Sequence, residues 1–214
     1  AESSSSSALE TAWIARGNEV CYWYYVDDYT AGFITGNGVH FVDIGQWGIG
    51  DPVAPVQVHT RSADIPAGGL VDTPIAWRTE IVYENGVTMS YASEGNPHPD
   101  GIRFIGTEGW IHVNGAGGLT ADPADVLKSV IGPGEIRLYA ATEHHRNFLD
   151  CIKTRQPAAA CPDVGHHATT TCNLAEISAR LGRSVTWDAK AERCFHDAEA
   201  NRMLERATRS PWQA

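Results

Sequence analysis

The chain has 214 residues, of which 43% are hydrophobic, and a formal net charge of -10 from 26 acidic against 16 basic residues. That is ordinary globular composition, enough for one domain and its core. No apolar run approaches the ~18 residues a membrane span needs, and no Lys/Arg stripe offsets the acidic balance, so neither a membrane nor nucleic acid is expected as a partner.

In chain order, residues 1–20 read as a flexible leader and lead-in, with Ser3 to Ser7 following Ala1-Glu2. That stretch suits the remnant of a cleaved signal, a linker or an expression scar, so cytoplasmic and periplasmic or secreted locations both stay open. Residues 21–214 read as a single domain. Val20 to Tyr25 carries strand-type side chains, and Asp27-Asp28 ends it. Residues 36–48 give a short helical pattern on Val39, Val42 and Trp47, interrupted by glycines. Val56 to Thr60 predicts a strand. Ile75 to Tyr83 and Val87 to Tyr91 flank Asn85-Gly86, a hairpin signal of the type I′ kind. Ile102 to Ile105 and Trp110 to Val113 predict a second pair around Gly106 to Gly109, and 114–135 reads as a long Gly/Pro/Asp-rich loop.

Helices follow. Thr142 is placed to cap one with an apolar stripe of His145, Phe148, Leu149 and Ile152, at i, i+3, i+4 and i+7. A second runs from about Ala168 to Leu181, with Gly182 as its stop. Asp197 caps a third, from Ala198 to about Ala207. The order predicts an α+β domain: an open, mainly antiparallel sheet with helices on one face. Ile81, Val82, Tyr83, Trp110, Ile111 and Val113 put apolar residues on both sheet faces, so the bare face is expected to pair with a second copy in a homo-oligomer.

The five cysteines, at 21, 151, 161, 172 and 194, are odd in number and lack Cys-x-x-Cys spacing. They form neither a zinc ribbon nor a complete disulfide framework. Cys151 and Cys172 sit in helical patterns as buried thiols, and a disulfide engaging Cys161 and Cys194 is left open. His144-His145 and His166-His167 are adjacent pairs whose rings diverge by about 100° on a helix, and no metal site is expected from them. His166, before the predicted helix, reads as a cap or packing residue.

The run Gly32-Phe33-Ile34-Thr35-Gly36-Asn37-Gly38-Val39-His40-Phe41-Val42-Asp43, with Gln46-Trp47-Gly48 after it, resembles the start of the substrate domain of the Gfo/Idh/MocA oxidoreductases. Asn96 to Ile111, His145 to Ile152, Gly165 to Ile177, Leu181 to Arg183, Val185 to Asp188 and Arg209 to Trp212 continue the resemblance in order, in the pattern of the bacterial secreted or sugar-catabolic branch. It implies the C-terminal, substrate and oligomerisation half of an NAD(P)-dependent sugar or cyclitol oxidoreductase. No Gly-x-Gly-x-x-Gly fingerprint occurs in the 214 residues, so this chain is expected not to hold NAD(P) by itself; the cofactor would need a Rossmann domain supplied elsewhere. The family's helix pattern Asp-x-x-x-His-x-x-Asp falls on Gly36, His40 and Asp43, so the first carboxylate is missing.

His40 and Asp43 are therefore the candidate catalytic residues, His40 as acid/base or sugar-hydroxyl ligand and Asp43 as its neighbour or a structural acceptor. Asp28, Asn37, His98 and Trp47 are the candidates for holding a small sugar or glycoside, Trp47 by stacking. Two alternatives accompany this reading. One is a cofactor-independent glycosidase or lyase, which needs two carboxyl groups ~5–9.5 Å apart, drawn from Asp28, Asp43, Glu80, Asp100 and Glu108. The other is a non-catalytic oligomerisation or regulatory subunit.

Overall fold

A computed structural model describes residues 23–50, 52–68, 71–93, 100–206, 208 and 210–211. The leader, Cys21, His98 and residues 20–22 of the first expected strand lie outside the described residues. Residues 23–25 form one tight helical turn rather than strand. Tyr24 and Tyr25 pack there on Phe33, at 5.0 and 5.2 Å between ring centroids. Aromatic partners, not a neighbouring strand, decide the backbone at this point.

Two helices follow, α1 (Phe33–Gly36) and α2 (Gly38–Ile49), joined by Asn37 in helical conformation. The strands are β1 (Pro55–Asp64), β2 (Ala76–Tyr83), β3 (Thr88–Ala92), β4 (Ile102–Gly106), β5 (Gly109–Val113) and β6 (Leu119–Asp122). Then come α3 (His144–Thr154), α4 (Pro162–Leu181), β7 (Val185–Asp188), β8 (Arg193–Cys194) and α5 (Ala198–Arg202). The α+β expectation holds, with every pairing antiparallel. The strands form two sheets rather than one: β3-β2-β1-β7-β8, and a separate β4-β5-β6. The loop expected over 114–135 contains β6, which pairs Leu119 with Val113 and Asp122 with Trp110. Its four residues carry almost no local pattern, and the open edge of β5 organises them.

The hairpin is where Asn85-Gly86 puts it, but the turn differs. Gly86 alone of the two has positive φ, at 83°. Gly86 N–H donates to the Tyr83 carbonyl at 2.9 Å, Tyr83 N–H to that of Val87 at 2.9 Å, and Asn85 Oδ1 accepts from Val87 N–H at 3.1 Å. This is a type I turn closed by a glycine bulge, not type I′.

The core lies between the five-stranded sheet and α4. Val58, Ile81, Tyr83, Tyr91 and Val185 meet Leu174, Ala175 and Ile177 of α4, with Ile34 and Val42 from α1 and α2. A buried polar seam fixes the register of helix on strand. Thr60 N–H donates to Ser178 Oγ at 2.8 Å, and Thr60 Oγ1 donates to the Ala175 carbonyl at 2.8 Å. Because α4 fills the inner face of β1, the stripe on α3 stays outside the core. Phe148, Leu149 and Ile152 are about half exposed. The cap of α3 is Glu143, not Thr142; its carboxylate accepts from the N–H groups of His145 and Arg146. Cys151, Cys161, Cys172 and Cys194 are all free thiols, so the Cys161–Cys194 option falls. His166 neither caps nor packs: it lies within α4, exposed, with Nε2 2.6 Å from Glu192 Oε1.

The outward face of the five-stranded sheet is polar. Strand alternation sends Ile81 and Tyr83 inward and Arg78, Glu80 and Val82 outward, beside Arg61, Thr88 and Ser90. Arg61 pairs with Glu80 at 2.7 Å. The expectation of an apolar bare face is thus corrected: Trp110, Ile111 and Val113 belong to the other sheet, and the exposed apolar side chains concentrate instead at Val130, Ile131, Ile136, Leu138 and Tyr139 and on α3.

At the C-terminal end Arg183 binds both oxygens of Asp197 and reaches Glu199 at 3.0 Å, while Asp197 Oδ1 caps α5 through Ala200 N–H at 3.0 Å. The Arg183 guanidinium, with the cap N–H, holds the Asp197 carboxyl down at about 2. Its folded pKa is below the unfolded value, so its contribution is present above about pH 4 and lost as pH falls towards 2. Asp197→Ala is expected to cost about 1–2 kcal/mol, as loss of a cap does, and to flatten the decline in thermal midpoint between pH 4 and 2. Scanning calorimetry across that range checks both.

Candidate functional site

The seat of α2 decides which of its side chains face outward. Ile34, Gly38, Val42 and Gln46 recur every four residues and are buried on the side facing the core. Gly38 is required there by close approach. A Cβ at 38 would lie 1.6 Å from Tyr91 Oη, and that hydroxyl donates to the Ile34 carbonyl at 2.5 Å. At the far end Gln46 Nε2 donates to Thr171 Oγ1 of α4 at 3.0 Å. Tyr83 lies in the same buried region, and burial pushes its phenol up to about 12, so it stays neutral. Thr35 Oγ1 donates to Asn173 Oδ1 at 3.2 Å, a further tie to α4.

With that side committed, the opposite side carries Gly36, Asn37, His40, Asp43 and Trp47 within about 120° of arc. Asn37 and His40 are exposed, Trp47 is 42% exposed, and Asp43 is half-buried with its Oδ1 shut off from solvent. The structure therefore brings four of the six expected site residues onto one helical face. Asp28 is exposed in the preceding turn; its neighbour Asp27 is a structural anchor, paired with Arg180 at 3.0 Å and Arg206 at 2.9 Å. His98 lies outside the described residues. The sequence reading missed Tyr24, whose hydroxyl occupies the space beside Gly36; the signal was the helical glycine itself.

Chemically, an exposed imidazole one turn from a carboxylate can take or give a proton at a ligand hydroxyl, and a half-exposed indole offers a stacking surface. Of the carboxylates a glycosidase would draw on, Glu80 lies on the outward face of the sheet, tied to Arg61. Among the described residues no three His, Cys, Asp or Glu side chains group as metal ligands. A cavity of about 340 Å³, lined by Pro55, Glu84, Trp187, Asp188, Lys190 and Phe195 among others, has no α2 residue in its wall.

Residues 15–214 match the oxidoreductase family C-terminal alpha/beta domain of the Gfo/Idh/MocA group, and the chain belongs to that family. Its fold is similar to that of an aldose-aldose oxidoreductase from Caulobacter crescentus complexed with glycerol, at 16% identity and a TM-score of 0.57, covering 77% of this chain and 50% of that one. A putative oxidoreductase from Thermotoga maritima aligns at 21% identity and a TM-score of 0.56, with 77% and 50% covered. An NAD-binding protein from Listeria innocua aligns at 16% and 0.54, with 77% and 54% covered. The chain thus spans about half the length of these relatives. A search among curated proteins finds no match.

The seat of α2 makes a direct prediction. Gly38→Ala forces a methyl group into the Tyr91 hydroxyl and is expected to cost at least ~1–3 kcal/mol, as overpacking does. Urea denaturation of the two proteins measures it.

Proposed function

We propose that this chain is the carbohydrate-facing half of an NAD(P)-dependent oxidoreductase, binding a small sugar or cyclitol on the outward face of α2. The single observation that carries the reading is the exposed His40 with Asn37, Asp43 and Trp47 on a face whose orientation is fixed from behind. Membership of an oxidoreductase family supports it, and the relative crystallised with glycerol, a polyol, is consistent with it.

In this reading His40 exchanges a proton with, or hydrogen-bonds, a ligand hydroxyl. Asn37 and Asp43 orient the ligand and Trp47 covers an apolar sugar face. The dinucleotide, when present, supplies the hydride chemistry from a separate Rossmann domain; no residue of this chain is assigned to it.

Ligand-observed NMR with D-glucose, D-xylose and myo-inositol tests the site. At least one is expected to bind, and His40→Ala is expected to weaken that binding about tenfold, the scale of one hydrogen bond of ~1.4 kcal/mol. Equal binding by His40→Ala contradicts the reading. Micromolar binding of NAD by this chain alone contradicts its assignment as the half without the cofactor.

Self-association through the outward sheet face belongs to the same reading. The surface it would use is polar around Arg61 and Glu80, with Val82 among them. Val82→Lys is expected to convert an oligomer to monomer in light scattering without loss of fold. A monomeric parent chain contradicts it.

A further inference from the structure

We propose that Tyr24 takes the place of the side chain Gly36 lacks, and presents its phenol hydroxyl to the same ligand as His40. This rests on the reading that the outward face of α2 meets a polyol.

The geometry is one of shared space. A Cβ built on Gly36 falls 1.6 Å from Tyr24 Oη and 2.5 Å from its Cζ. The volume from which a side chain at 36 would start is therefore filled by the phenol end of Tyr24. The ring is held from behind. It packs edge-on against Phe33 at 5.0 Å and Trp23 at 5.5 Å. The Tyr24 carbonyl accepts the Thr30 hydroxyl at 2.7 Å, and Thr30 Oγ1 in turn accepts Gly32 N–H at 2.9 Å, which ties the turn to the start of α1.

Position 36 precedes His40 by four residues, and Asn37 between them is helical. Residues four apart sit on one helix face, ~5–6 Å from each other. Gly36 and His40 are both exposed and Tyr24 is partly so. The phenol end of Tyr24, at the Cβ position of Gly36, and His40 accordingly lie on the same side of the helix, with Asp43 a turn further on. The resemblance expects a carboxylate at 36. An ionised carboxylate only accepts hydrogen bonds, whereas a phenol both donates and accepts. Replacing one by the other removes a negative charge from the neighbourhood of Asp43 and leaves a neutral donor–acceptor. That chemistry suits the hydroxyl groups of an uncharged sugar or cyclitol, each of which is also donor and acceptor.

Tyr24→Phe deletes only the hydroxyl. It is expected to leave the thermal midpoint within about 2 °C of the parent and to weaken binding of whichever of D-glucose, D-xylose and myo-inositol the parent binds by about three- to tenfold, one net hydrogen bond. Unchanged affinity in Tyr24→Phe beside weakened affinity in His40→Ala overturns the role of Tyr24 and leaves the site standing. Affinity unchanged from the parent in both variants, or no binding by the parent, overturns the site reading and the proposal with it. A ligand-free measurement tests the shared space. The stability losses of Gly36→Asp and Tyr24→Ala are expected to sum to more than the loss in the double variant, because removing the ring makes room for the carboxylate; strictly additive losses overturn it.

Discussion

One close approach governs the rest of the site: the Tyr91 hydroxyl, reaching up from β3 to the Ile34 carbonyl, passes through the space a side chain at 38 would occupy. Only glycine at 38 allows it. Once that contact is made, Val42 and Gln46 follow inward at four-residue intervals, and Thr171 of α4 receives the last of them. The outward direction of His40 is a consequence of this packing. Its place on the helix is set by a neutral buried tyrosine, so the candidate face is carried on a rigid support.

Much of this was readable in the chain. The Asn85-Gly86 pair located its hairpin, Gly182 marked the end of α4 in left-handed conformation, and Asp197 capped α5. The glycines of α2, which weaken helix propensity, were the harder signal. Gly38 is not a defect in the helix but the place where the sheet touches it, and Gly36 is where Tyr24 does. Local propensity counts such residues against a helix; packing requires them.

What escaped the sequence has common physical causes. β6, β7 and β8 are two to four residues long and exist because a neighbouring strand offers an unpaired edge. The period of two sends Ile81 and Tyr83 inward and Val82 outward among Arg78 and Glu80, and one valine there leaves that face polar. The α3 stripe has helical spacing, but spacing says nothing about whether a sheet is still free to receive it; α4 had already taken that place. Within the site, His40, Asp43, Asn37 and Trp47 were legible because they share one helix. Asp28 and Tyr24 stand outside that helix, on the folded turn at 23–30, where Asp27 rather than Asp28 is the residue anchored.

The proposed site is one rigid helical face, and its most direct measurement is where a ligand perturbs the chain. Amide and indole chemical shifts followed during titration with D-glucose, D-xylose or myo-inositol are predicted to change at Tyr24, Gly36, Asn37, His40, Asp43 and Trp47. Changes centred instead on Trp187, Lys190 and Phe195, around the other cavity, would contradict the account.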